Sequence, residues 1–334
     1  MLHPVERLLS PRRRLLRGER LGDFSAKGRY SANSPSKARR CILPDVTLSV
    51  VIIAYNEEAN LARTLESVKP LVGDGKGEII IVDSGSTDRT VEIAKSFGAK
   101  VFVEEWKGYA AQKNSAIDKA TGEWILSLDA DEELTDELRK ALHLALVFMR
   151  EKTLPNPEGE WLHNLVGIKD PLATVGFRIW RRNFFLGKPL RWGGYFPDSK
   201  LRVVLREHAK FEPRLVHEDI AIPVGAIADV WSPILHHSYP TLSDYIEHMN
   251  RYSSLGAETV IAKSNGKVRF GIANIVLRPL ITFVYNYFFR LGFLDGREGL
   301  LLHIYHATYV SWKYAKAWEL SRTRTSVESD RPVV

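Results

Sequence analysis

The chain has 334 residues, 45% of them apolar and 26% charged, a globular composition with ample material for a core. Its net charge of +7 lies at one end, because eleven Lys and Arg against three acids up to Cys41 leave about +8 there and about −1 in the remainder. The near-neutral remainder argues against nucleic acid as a partner, and the single Cys41 excludes an internal disulfide and a cysteine-based zinc site.

Residues 1–44 are rich in Arg and Ser and lack periodicity, so they read as a disordered extension. Their charge suits either anionic lipid headgroups or a merely solvated tail. No stretch reads as a secretory signal. The best membrane-spanning candidate, Ile272 to Phe289, is interrupted by Arg278-Pro279 and carries Asn274 and Asn286.

Leu48 to Ala54 is a β-branched run, the pattern of a strand covered on both faces. Asn56 then reads as the N-cap of a helix striped by Leu61, Leu65 and Val68 and ended by Pro70 and Gly73. Glu78 to Val82 is a second strand running into Asp83-Ser84-Gly85-Ser86-Thr87-Asp88, where Ser86 or Thr87 is placed to cap the next helix. Val101 to Val103 is a third strand. Gly108 to Ala120 reads as a helix with Ala111, Ser115 and Ile117 inward.

The fourth strand, from Trp124, ends in Asp129-Ala130-Asp131. Residues two apart on a strand lean the same way, and two adjacent carboxylates repel unless a cation sits between them. Mg²⁺ or Mn²⁺ bridging to phosphates is one account; an acidic entrance to the helix that begins near Thr135 is the other. Strands alternating with helices imply a parallel sheet, which binds ligands beyond its carboxyl ends, where Asn56, Asp83 and Asp129 all fall. That placement favours the cation.

Leu134 to Arg150 reads as an amphipathic helix, and Phe177 to Arg182 and Leu201 to Arg206 as strands. Between those strands lies a Gly/aromatic loop, Trp192 to Asp198. A helix capped near Ser243 covers Asp244 to Ala262. From Asn274 to Glu319, Trp and Tyr alternate with Arg and Lys around an apolar face, as in helices lying in a membrane interface. The competing account of that face is packing against the rest of the protein.

Three stretches, Val51 to Glu58, Val82 to Asp88 and Leu128 to Glu132, resemble the family 2 inverting glycosyltransferases of the GT-A fold. Lys107 to Asn114, Arg181 to Gly187, Val216-His217-Glu218, Leu242 to Tyr245, Met249 to Ser253 and Gly292 to Gly296 are similar to the lipopolysaccharide-core β-1,4-glucosyltransferase group. The resemblance runs in order from about Leu48 to Glu319, leaving out residues 152–173.

That resemblance implies an α/β, Rossmann-like nucleotide-binding sheet flanked by helices over 45–265. A C-terminal amphipathic, membrane-associating region follows over 266–320, then a tail over 321–334. Tyr55, Asn56, Glu57 and Ser84 would line the nucleotide-sugar pocket, with Asp83 accepting a hydrogen bond from the uracil ring. Lys113 would face the diphosphate, Asp129 ribose or sugar, and Asp131, with Asp129 and His236, a divalent metal. Glu218 would be the catalytic base, with Asp219 in reserve and Asp198 a third candidate; Asp88 reads as a helix-start acid. The implied reaction moves glucose from a UDP-sugar donor to a lipid-linked saccharide acceptor, lipopolysaccharide inner core. The enzyme would sit peripherally on the cytoplasmic face of the inner membrane. A polyprenyl-linked acceptor and a catalytically silent sugar- or lipid-binding relative are the alternatives.

Overall fold

The computed structural model describes residues 48–73, 75–151, 166–168, 170, 172–212, 220, 222, 227–264, 268 and 270–329, with side chains to 322. All belong to one compact unit, Leu43–Val334. Their strands form a single mixed sheet. Its first half is the parallel set β3 (Lys100–Val103), β2 (Gly77–Asp83), β1 (Leu48–Ala54) and β4 (Trp124–Asp129), in that spatial order.

Burial on both faces explains the apolar runs. Val50, Ile52, Ile79, Ile81, Leu126 and Leu128 face one core, while Val51, Ile80, Val82 and Ile125 face another. The first core is filled by α1 (Leu61–Val72) and α4 (Asp136–Glu151), the second by α3 (Tyr109–Asp118). Each such side chain contributes about 1.5–3 kcal/mol of transfer free energy.

Glu78 fastens the opposite end of this half-sheet. It accepts hydrogen bonds from Ser49 Oγ at 2.7 Å and from Thr121 N at 2.7 Å and Oγ1 at 2.8 Å, and pairs with Lys100 at 2.6 Å. Burial alone would raise its pKa, but these donors outweigh burial and bring it down to about 2. A depressed carboxylate stabilises the fold above its ordinary value of 4.5, and that stability is lost as pH falls toward 2. Glu78→Gln is expected to cost about 2 kcal/mol at neutral pH. Urea titrations of the two proteins should show the gap closing over that acid window.

The second half extends β4 with β8 (Asp198–Leu205), β6 (Gly176–Phe185), β9 (Ile227–Tyr239) and β5 (Glu132–Leu134), with β7 (Lys188–Pro189) beside β6. Strand β6 runs parallel to β9; the β4–β8, β8–β6 and β9–β5 pairs are antiparallel. Only two residues separate β4 from β5, yet β8, β6 and β9 lie between them in the sheet. The Asp129–Glu132 turn therefore spans the ends of those strands.

Several local expectations are corrected. The first helix begins at Leu61 with Asn60 as N-cap, because Asn56 adopts a left-handed conformation (φ 53°) and turns its side chain toward a neighbouring loop. Pro70 lies inside that helix, in its last turn. Helix α2 (Thr90–Ser96) is entered from Asp88, which accepts from Thr90 N at 2.9 Å, so neither Ser86 nor Thr87 caps it. In α3 the inward residues include Gln112 and Lys113, while Ala111 is exposed and Ser115 half-buried. Helix α5 (Leu242–Lys263) starts from Thr241, whose hydroxyl takes Asp244 N while Asp244 takes Thr241 N, a reciprocal cap that displaces Ser243.

After α5 come a π-helical turn (Ala273–Leu277), α6 (Arg278–Val284), a second π-helical turn (Tyr285–Phe289), a 3₁₀ turn (Gly292–Asp295) and α7 (Gly296–Ser329). Helix α7 continues through residues expected to form a tail. Leu302 packs with Phe185, Leu190 and Tyr245, and Asp295 accepts from Arg191 N and Trp192 N. These helices are thereby fastened to the Gly/aromatic loop. Their outer side carries large exposed apolar residues: Ile272 is 66%, Ile281 64% and Phe289 75% exposed.

Candidate active site

Two clusters form at the carboxyl ends of the parallel strands. The first joins the loops after β1 and β2. Asn56 N donates to Ser86 Oγ at 2.8 Å, Thr87 N to Asn56 Oδ1 at 2.8 Å, Glu57 N to Thr90 Oγ1 at 2.7 Å and Glu58 N to Asp88 Oδ2 at 3.1 Å. Asp83 is wholly buried beneath this rim and accepts from Gly85 N, Ser86 N and Ser86 Oγ at 3.0, 2.8 and 2.5 Å. Three of its four lone pairs are thus used in shaping the loop. Tyr55, 57% exposed, and half-buried Ser84 stand at the surface of the rim.

The second cluster is ionic. Asp129 meets Lys113 Nζ at 2.9 Å, Arg202 Nη2 at 2.7 Å and Arg181 Nη1 at 3.9 Å. Glu132, with no exposed surface, also pairs with Arg202 and lies 3.5 Å from Arg181. Burial would raise the Asp129 pKa, but Arg202, Lys113 and Arg181 together hold it well below the usual carboxylate range.

Two expected site residues, Lys113 and Asp129, meet in this arrangement. Lys113 is turned to Asp129, because a buried ammonium requires a counter-charge. Both Asp129 oxygens are engaged by side-chain cations of this chain. Asp198, the third base candidate, is likewise paired. Arg181 Nε and Nη2 donate to its Oδ2 at 2.8 and 2.6 Å, and Arg181 outweighs burial to lower its pKa.

Asp131 is the carboxylate left facing the strand ends, with its Oδ2 3.2 Å from His236 Nε2. Pairing of β5 with β9 sets Glu132 opposite His236 and so brings the two together. Burial raises the Asp131 pKa and Asp129 adds to that, yet His236 wins and the net shift is downward. Glu57, within the field of Asp131, Asp88 and Asp129, is pushed up by burial first and those acids second.

The tautomer of His236 follows from its partners. Asn183 Nδ2 donates to Tyr195 O at 3.1 Å, which turns Asn183 Oδ1 toward His236 Nδ1 at 2.7 Å. Ser238 Oγ lies 2.7 Å from Nδ1 as well; with the Nδ1 proton given to Asn183, a neutral ring turns an Nε2 lone pair toward the carboxylate, whereas a charged ring donates Nε2–H to it. In the neutral form the two facing lone pairs call for a cation between them. Ligands at right angles on a Mg²⁺-sized ion with ~2.1 Å bonds lie about 3 Å apart, close to the separation found. The donor set would suit a divalent ion. Among the described residues no group of three His, Cys, Asp or Glu gathers at one point.

Glu218 and Asp219, the expected base and its reserve, lie outside the described residues. Sequence reasoning assigned no role to Arg181, Arg202 or Glu132. A signal was present in Leu201-Arg202-Val203-Val204, where a charged residue interrupts a buried strand and must find a partner.

Residues 49–146 match the family model for glycosyl transferase family 2. The chain is 30% identical over 290 residues to a lipopolysaccharide core biosynthesis glycosyltransferase, LpsC, of Rhizobium meliloti (strain 1021), covering 83% of this chain and 94% of that protein. It is 29% identical over 285 residues to an uncharacterized glycosyltransferase of Rickettsia typhi, covering 85% and 91%. Among solved structures, a mannosyltransferase from Pyrobaculum calidifontis in complex with GDP-Man and Mn²⁺ aligns at 14% identity and a TM-score of 0.39, over 86% of this chain and 76% of that one. Superposition at that level carries no argument. The matched segment begins in β1, ends in α4 and so includes Asp129 and Asp131, while the Rhizobium likeness continues far beyond it. A parallel nucleotide-side half-sheet continued by antiparallel strands is the GT-A arrangement, and the chain belongs to family 2 of the glycosyltransferases.

Proposed function

We propose that the protein moves glucose from a UDP-sugar to a lipid-anchored saccharide, the lipopolysaccharide inner core, with inversion at the anomeric carbon. The observation that carries this reading is Asp131 facing His236 where the parallel strands end. The acceptor class is supported by the likeness to the Rhizobium protein. Tyr55, Asn56, Glu57 and Ser84 line the nucleoside side, and Asp83, the expected acceptor from the uracil ring N–H, lies buried beneath them and shapes the loop that carries Ser84.

Asp131 and His236 hold a divalent cation, Mg²⁺ or Mn²⁺, which offsets charge on the departing diphosphate. Lys113 and Arg202 keep Asp129 ionised beside it. Glu218 takes the proton of the acceptor hydroxyl as the sugar–phosphate bond breaks, with Asp219 the alternative. The protein works peripherally at the cytoplasmic face of the inner membrane. Support comes from the apolar outer side of residues 272–294, a composition suited to an interface. Among the described residues no helix is long and apolar enough to cross a membrane.

Purified protein offered a panel of UDP- and GDP-sugars with Mn²⁺, Mg²⁺ or EDTA tests the reading. Hydrolysis of UDP-glucose that EDTA abolishes and Mn²⁺ restores is the expected result. Preference for GDP-mannose would overturn the donor, and indifference to EDTA would overturn the metal.

A further inference from the structure

A cleft of about 420 Å³ opens between α6 and α7, away from the strand ends that carry the candidate site. Arg278 and Thr282 line it from α6, and His306, Tyr309, Lys313 and Tyr314 from α7. No carboxylate lines it, and among the described residues neither Arg278 nor Lys313 has an acidic partner. Both lie over aromatic rings. Arg278 Nη1 donates to Tyr314 Oη at 2.6 Å and its Cζ lies 5.1 Å from that ring's centre, while Lys313 Nζ sits 5.1 Å and 5.7 Å from the Tyr314 and Tyr309 rings.

Two cations held close with no anion between them are unfavourable unless a ligand supplies one. The strain registers on both neighbours. Burial first and Arg278 second lower the Lys313 pKa, and burial with Lys313 brings His306 down to about 4. Tyr and Thr hydroxyls add neutral donors, so the cleft presents donors of the kind that surround a phosphate. Its outer wall includes Ile281, which belongs to the same exposed apolar side as Leu277, Leu280 and Tyr285. A charged recess beside an apolar face matches the two halves of a phospholipid.

We propose that this cleft binds the phosphate headgroup of an anionic membrane lipid. Arg278 and Lys313 contact the phosphate oxygens, and the flanking apolar residues enter the acyl boundary. The site deepens the membrane reading above and rests on it. It gives the peripheral contact a defined headgroup, where the apolar face alone would accept any bilayer.

Sedimentation of the full chain with phosphatidylcholine vesicles, with and without phosphatidic acid, tests this. Wild-type protein is expected to pellet more strongly with phosphatidic acid. Arg278→Gln with Lys313→Gln should weaken that binding about thirtyfold, ~2 kcal/mol, and leave binding to neutral vesicles unchanged. Lys313→Met alone, which keeps the stem that lies against Gly256, should account for about fivefold, and thermal unfolding checks that each variant is folded. Equal pelleting of wild type and folded variants with phosphatidic acid would overturn the cleft while leaving the membrane reading standing. Wild-type protein that stays in solution with both vesicle types would overturn both. Protection of the cleft by inorganic phosphate, with no difference between vesicle types, would overturn a lipid as its occupant.

Discussion

Asp131→Ala is expected to lower sugar transfer by about 10³-fold and to leave the protein folded. The two halves of this expectation have separate grounds. Asp131 is half-buried and, among the described residues, its short-range side-chain partner is His236, so its removal opens no core cavity. Its activity effect follows from its position as the carboxylate not already neutralised by the chain's own cations. Residual activity of the variant should no longer respond to EDTA. His236→Ala is expected to be milder, about 10–100-fold, with partial recovery at raised Mn²⁺, because one protein ligand and the substrate phosphates remain. Steady-state transfer at several Mn²⁺ concentrations separates the two. Full activity in Asp131→Ala would sink the assignment of the metal.

Arg202→Met should act on the fold before it acts on the chemistry, costing about 3–5 kcal/mol of stability. Arg202 is 5% exposed and joins Asp129 to Glu132, so its loss leaves two acids in apolar surroundings with Arg181 and Lys113 as remaining partners. Denaturant unfolding measures this directly. The acid limb of the stability curve carries a second signature. The Asp129 pKa is depressed in the folded protein, so its contribution is complete above the ordinary carboxylate value and is lost as pH falls through the folded one. Without Arg202 that depression shrinks, and the stability of the variant should vary less below about pH 4. A stability loss under about 1 kcal/mol would show that the remaining cations suffice.

The parallel half of the sheet was legible because strands covered on both faces must be apolar throughout, and Leu48–Ala54, Gly77–Asp83 and Trp124–Asp129 largely are. The added strands were less legible. Glu132–Leu134 is three residues long, and its place in the sheet is set by β9, nearly a hundred positions on. Asn56 misled because its side-chain oxygen, a good helix cap in isolation, meets a stronger partner in the Thr87 backbone. In the site, sequence proximity paired Asp129 with Asp131 as equals. The fold divides them, since β6 and β8 deliver Arg181 and Arg202 to one and β9 delivers His236 to the other. No local pattern records which strand end will stand beside which.

The cross-linked loops after β1 and β2 bear on how a donor is received. Asn56, Glu57 and Glu58 each give a backbone N–H to a side chain of the opposite loop, and Asn56 and Glu58 accept one in return, from Thr87 and Arg89. Neither loop can shift without breaking contacts in both. The freedom such a rim would otherwise surrender on capture of a nucleotide has already been surrendered during folding. Association on this side is therefore expected to be closer to lock-and-key, with an entropy change set mainly by released water and by the ligand's own torsions.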